Sequence, residues 1–156
     1  MTKRRKTRTG SQRGHIQIPH NVMDTDDYRN LPPNAVKLLN ALVYQYRGKN
    51  NGDLTAAFNY MKDFGFKSKE TLTKATQDLL KAELIVRTRR GWFMNPGGRC
   101  TLYALTWHPI DECPGKQLEI GPTNRPLRKF SLEKNKKPSP VSGIGSAQFS
   151  YPKVVK

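Results

Sequence analysis

Residues 56–107 read AAFNYMKDFGFKSKETLTKATQDLLKAELIVRTRRGWFMNPGGRCTLYALTW, and the periodicities in this stretch decide the fold. Ala57, Tyr60, Met61 and Phe64 recur at the i, i+3, i+4, i+7 spacing of a helix with one buried face. Gly65 follows and supplies the left-handed conformation that commonly ends a helix. Ser68 is placed to cap a second helix. In that helix Leu72, Ala75, Leu79 and Ala82 fall on one side, and Lys69, Glu70, Thr73, Lys74, Gln77 and Lys81 fall on the other. Leu84, Ile85 and Val86 then run into Arg87, Thr88, Arg89 and Arg90, and CTLYALTW at 100–107 returns as a second strand. Asn95, Pro96, Gly97 and Gly98 interrupt the two runs, which therefore pair as an antiparallel hairpin with a long loop.

A helix, a glycine turn and a second helix with a cationic exposed face form the unit whose second member enters the DNA major groove. An ordinary helical hairpin with solvated lysines has the same local pattern, and the basic hairpin after it separates the two readings. At this point the chain resembles the winged helix-turn-helix superfamily: LLKAELIVRTRRG, residues 79–91, looks like the end of a recognition helix running into a wing. LPPNAVKLLNALVYQY (31–46), NNGDL (50–54), SKETL (68–72) and LYALTWHPIDEC (102–113) together are similar to small helix-turn-helix proteins of prophages and mobile elements. The resemblance covers residues 31–113. It implies an α+β fold, a winged helix-turn-helix of three helices plus a β-hairpin wing, and a double-stranded DNA partner. Ser68, Lys69, Thr73, Lys74, Gln77 and Lys81 are the expected recognition-helix contacts, and Arg87, Arg89, Arg90, Trp92 and Arg99 the expected wing contacts. The same module serves repressors, activators and replication initiators, so the expected function is a sequence-specific transcriptional regulator or a replication-associated factor of a phage or mobile element.

The chain has 156 residues, enough for one modest core, and a net charge of +16 that is unevenly spread. Residues 1–14 hold six Lys or Arg and no acid, and residues 15–30 hold one Arg against three Asp. Residues 31–113 hold twelve bases against seven acids, and residues 114–156 nine against two. The two ends therefore carry +6 and +7, most of the excess. This divides the chain into a disordered basic arm (1–14), a winged helix-turn-helix domain with an N-terminal extension (15–113) and a flexible basic tail (114–156).

The arm presents Lys3, Arg4, Arg5, Lys6, Arg8 and Arg13 without an apolar residue to bury beyond its first methionine, so it has nothing to offset the entropy of ordering. It reads as a tether to phosphates or an arm lying in a groove, with a solubilising tail as the bland alternative. An excess of this size calls for a polyanionic partner, and nucleic acid is favoured over membrane because neither end has an amphipathic stripe. No apolar run is long enough to span a bilayer, and no apolar region follows the basic start as in a secretory signal. The expected location is the cytoplasm, with the nucleoid. Cys100 and Cys113 make neither a disulfide framework nor a CxxC pair.

In chain order, HIQIPHNVMDTDDYRN (15–30) is expected to lie along the domain with one helical turn near Asp26. Pro32 and Pro33 suit the first turn of a helix whose buried stripe is Ala35, Leu38, Leu39, Leu42 and Tyr46, and which stops at Gly48. The resemblance implies that Leu54 and Thr55 form the short third strand that winged-helix domains often place beside the hairpin, and Thr55 is suited to cap the helix that begins at Ala57. Beyond Trp107 the Pro, Gly, Ser and Lys content reads as tail, in which Phe130, Phe149 and Tyr151 are either docked or simply exposed. Leu39, Leu42, Met61, Leu72, Leu79, Ile85, Leu102 and Leu105 are the expected core.

Catalysis is not expected. His108, Asp111, Glu112 and Cys113 form a single cluster, whereas zinc sites draw paired Cys or His from two places in the chain. Phosphate-loop, GxSxG and HExxH patterns are absent, so no catalytic residue, metal, cofactor or small-molecule substrate is expected. The alternative reading is an RNA-binding or ribosome-associated basic protein, with Trp92, Phe93 and Tyr103 as stacking aromatics. A helix does not enter the deep, narrow major groove of A-form RNA, which favours DNA. A homodimer would match symmetric half-sites, although no heptad pattern supplies a dimer helix.

Overall fold

In the computed structural model, which describes residues 14–94 and 97–130, two one-turn helices lead into the first long one. They are α1 (His20–Met23) and α2 (Asp26–Arg29), where the sequence suggested a single turn near Asp26. The Thr25 side chain accepts the Tyr28 amide and so caps α2. Val22 is fully buried and Ile18 and Tyr28 pack on the core, so the extension lies along the domain as expected.

The long helix α3 (Pro33–Gln45) opens with proline where a missing amide hydrogen costs nothing, and buries Ala35, Leu38, Leu39, Leu42 and Val43. It ends three residues before Gly48 for a visible reason. The Gln45 carbonyl accepts from Asn50 Nδ2 at 2.9 Å, and its side-chain amide is bonded both ways to the Thr55 backbone, 2.9 Å each. Tyr46 accordingly turns extended, with φ −69° and ψ 128°.

The strand β1 (Leu54–Thr55) follows and then α4 (Phe58–Met61), a single turn where periodicity predicted a helix through Phe64. Residues 63–65 bond three residues back and tighten the chain toward Gly65, whose φ of +81° lets the Phe66 amide reach the Met61 carbonyl at 3.2 Å. Of the expected buried face, Met61 is fully covered, Ala57 and Phe64 are half-buried and Tyr60 is exposed. Thr55 Oγ1 accepts the Ala57 amide at 3.1 Å, so it braces the turn before α4 and does not cap the helix itself.

The next helix, α5 (Lys69–Lys81), packs on α3 through Leu72, Ala75, Thr76 and Leu79. Ser68 Oγ accepts the Thr71 amide at 3.1 Å, the expected cap. Thr76 is tolerated inside because its hydroxyl donates to the Leu72 carbonyl at 2.8 Å. The strands β2 (Ile85–Arg89) and β3 (Leu102–Leu105) form the expected hairpin, and β1 adds to β3, giving the sheet order β1-β3-β2, all antiparallel. The fold is thus α+β among the described residues, with the sheet closing over the helices. All eight expected core residues are buried.

Leu79 is fully buried between α3 and the sheet, so Leu79→Ala is expected to cost about 3 kcal/mol in urea unfolding. A variant with the wild-type midpoint would mean the apolar face of α5 is assigned wrongly.

The domain does not end at residue 113. Ile110 and Phe130 are buried, the Glu119 amide donates to the Thr88 carbonyl at 2.7 Å, and the Arg128 amide to the Thr106 carbonyl at 3.0 Å. Phe130 meets the Trp107 ring edge-on at 6.4 Å between centroids. Residues 114–130 are therefore a strap bound to single carbonyls on the body of the fold, and the tail boundary drawn from composition at residue 113 falls inside packed chain. Phe149 and Tyr151 lie outside the described residues, as does the arm with Lys3, Arg4, Arg5, Lys6, Arg8 and Arg13.

Candidate nucleic-acid interface

The exposed side of α5 is built by what its other side must do. With Leu72, Ala75, Thr76 and Leu79 buried, the positions between them turn outward, and Lys69, Thr73, Lys74, Gln77 and Lys81 are all exposed. Glu70 in the first turn and Lys81 in the last both complement the helix dipole. Ser68 is only half-exposed, and its hydroxyl also donates to Thr71 Oγ1 at 2.8 Å, so its side chain serves the cap. Any anion at this helix end meets backbone amides and Lys69.

The crest of α5 separates two flanks. On one, Lys69, Thr73 and Gln77 look across a cleft of about 800 Å³ toward the hairpin, where Arg87, Trp92, Arg99 and Thr101 form the far wall. Among the described residues three cations line this cleft and no carboxylate does. On the other flank Lys74 and Lys81 alternate with Glu70 and Asp78, so the charge there is mixed. The cleft side is the one that favours a polyanion.

The hairpin places its arginines unequally. A bulge between Arg87 and Arg89 inserts Thr88, which is fully buried with its hydroxyl on the Gly52 carbonyl at 2.7 Å. The extra residue breaks the two-residue alternation, leaving Arg87 outward beside Tyr103 and turning Arg89 inward. Arg89 is only 9% exposed, and its guanidinium donates to the carbonyls of Lys116 at 2.6 Å and Cys100 at 2.9 Å. The expectation that Arg89 contacts DNA is therefore corrected: it clamps the hairpin to the strap. Arg90 has an exposed side chain, while its backbone amide donates to Glu119 Oε1 at 2.9 Å.

Beyond the strands the two legs stay paired. Trp92 and Arg99 exchange both backbone hydrogen bonds, at 3.0 and 2.9 Å. Gly91 makes this possible, since a Cβ there would lie 2.6 Å from the Arg99 carbonyl oxygen and the Thr101 amide. The Arg99 guanidinium sits 5.0 Å from the centroid of the Trp92 ring and bonds Gln117 Oε1 on the strap. Phe58 and Thr101 also line the cleft and were not among the expected contacts. Thr101 had a legible signal, because strand alternation puts it on the face of Tyr103; Phe58 had none.

The polar cluster after β3 is structural. Asp111 accepts the Asn51 amide at 2.8 Å, and the Cys113 thiol lies 3.6 Å from the Asp111 carbonyl. Burial holds the His108 imidazole below its ordinary range, with Asp111 pulling the other way, while burial and the carboxylates of Asp53 and Asp111 push the Cys113 thiol up. Neither arrangement prepares a nucleophile. Among the described residues no group of three or more His, Cys, Asp or Glu is placed to hold a metal ion, and no helix is long and apolar enough to cross a membrane. Cys100 and Cys113 are free thiols. Neither a protein-family model nor a curated protein nor a solved structure matches the chain.

Proposed function

We propose that the chain is a winged helix-turn-helix protein that binds double-stranded DNA, as a sequence-specific transcriptional regulator or replication-associated factor of a phage or mobile element. In this reading α4 and α5 are the helix-turn-helix, α5 enters the major groove, and the β2–β3 hairpin is the wing. The observation that carries it is the cleft between α5 and the hairpin, which among the described residues presents Lys69, Arg87 and Arg99 without a carboxylate. A cleft of this charge suits one sugar–phosphate strand, with the helix crest on its base-pair side and the hairpin on its outer side. The protein would then work in the cytoplasm, on the nucleoid.

Tyr103 weighs against the RNA alternative. It is 7% exposed, so its ring face is not offered for stacking. Among the three aromatics considered for that role, Trp92 and Phe93 alone are open.

Selection of bound fragments from random duplexes, with RNA as competitor, tests the reading. A recovered consensus then supplies the cognate site for variants. Gln77→Ala or Lys74→Ala is expected to weaken that site by about 1–3 kcal/mol and random DNA much less. Equal losses on both would remove these residues from base reading, and RNA competing as well as duplex would overturn the DNA assignment. A palindromic consensus would add a twofold assembly.

A further inference from the structure

The end of the β2–β3 hairpin carries three consecutive large apolar side chains that little covers. Trp92 is 47% exposed, Phe93 92% and Met94 63%. Apolar surface of this kind, contiguous and at a protruding tip, marks an interaction site more often than chance. The stem beneath it is braced: the Trp92–Arg99 backbone pair, the Gly98 amide on the Met94 carbonyl at 2.9 Å, and the Arg99 guanidinium over the Trp92 ring. Phe93 thus projects from a fixed base.

The charge around the tip selects among partners. Arg99 stacks over the Trp92 ring at its base and Arg87 and Lys69 line the adjoining cleft, with no carboxylate among the described residues of that lining. A partner that meets cations first and an aromatic ring second must be anionic outside and apolar within. A stacked duplex has that construction, phosphates on its surface and base faces inside.

We infer that Phe93, with Met94 beside it, is a wedge that enters between two base pairs from the minor groove and bends the duplex. Arg87 and Arg99 hold the flanking phosphates while the ring replaces part of the lost stacking. Flexible pyrimidine–purine steps, which unstack most readily, are the sites of entry. The inference rests on the DNA-binding reading and goes beyond it, since a wing can lie on the backbone without deforming it.

The test uses the full chain and a duplex of about 30 base pairs from the selected pool, end-labelled for energy transfer and carrying 2-aminopurine at successive steps. Wild type is expected to brighten the probe at one step and to bend the duplex by about 20–90°. Phe93→Ser should abolish both and lower affinity about tenfold, whereas Phe93→Leu, which keeps an apolar wedge, should retain the bend. Both variants should melt like wild type, because the replaced side chain touches almost nothing. A duplex bound tightly yet left straight, with silent probes, would overturn the wedge and leave the DNA reading intact. Loss of self-association in Phe93→Ser, with bending unchanged, would also overturn it and place a second copy of the chain at the tip. Failure of the wild type to bind any duplex would overturn both.

Discussion

Asn51→Ala is expected to lower the free energy of unfolding by about 4 kcal/mol or more, a large share of what a domain of this size possesses. Asn51 is fully buried in the loop before β1, and its side chain joins the last strand to the chain that follows it. Its Nδ2 lies 3.0, 3.1 and 2.8 Å from the carbonyl oxygens of Leu105, His108 and Pro109, which share its two N–H groups, and its Oδ1 accepts the Leu105 amide at 2.7 Å. Truncation leaves these groups without a partner in a place water reaches poorly, and each unpaired buried group costs about 1–3 kcal/mol. Asn51→Asp should be no better, because a carboxylate in that position faces three carbonyl oxygens. Urea unfolding followed by circular dichroism measures the loss, with an unchanged slope showing that both states keep their compactness. An Asn51→Ala midpoint equal to wild type would mean the network contributes nothing.

Removing residues 1–14 is expected to flatten the salt dependence of DNA affinity by up to about five units on a double-logarithmic plot, while leaving the preferred sequence nearly unchanged. The segment carries six cations, and each phosphate neutralised contributes a slope of about −0.9. Between 50 and 200 mM salt, six such contacts correspond to a change of about a thousandfold in affinity. Anisotropy titrations of the full chain and of a chain starting at residue 15, across a range of potassium chloride, measure it. An altered consensus with an unaltered slope would instead make the arm a base reader in the minor groove. The same measurement applied to the hairpin belongs on Arg87 and Arg90. Replacing Arg89 would unfasten the strap and confuse an electrostatic effect with a structural one.

The elements legible in the sequence were those with a complete local signal. The buried stripe of α5 and its Ser68 cap and the Pro-led start of α3 follow from spacing and residue type, while the place of β1 beside β3 was implied only by the resemblance. Termini set by tertiary partners were not legible. The end of α3 depends on Asn50 and Thr55 reaching back to Gln45, and no count along the helix contains that. The candidate site divides similarly. The exposed face of α5 needed only its period, whereas Arg89 looked like its neighbours until the bulge at Thr88 turned it inward. The strap was hidden because it pairs with isolated carbonyls and so has no period to read.

Arg128 closes the fold on itself. Its guanidinium meets Asp27 Oδ2 at 2.5 Å and the Ala82 carbonyl at 2.8 Å, joining partners 101 and 46 positions apart. At a synthesis rate of about 5–20 residues per second, the earlier partner waits roughly 5–20 s for the later one to be made. Until residue 119 is made the Thr88 carbonyl lacks the Glu119 amide, and until residue 130 is made Trp107 lacks Phe130. A chain ending at residue 113 would lack these contacts, and limited proteolysis is expected to cleave it faster than the full chain.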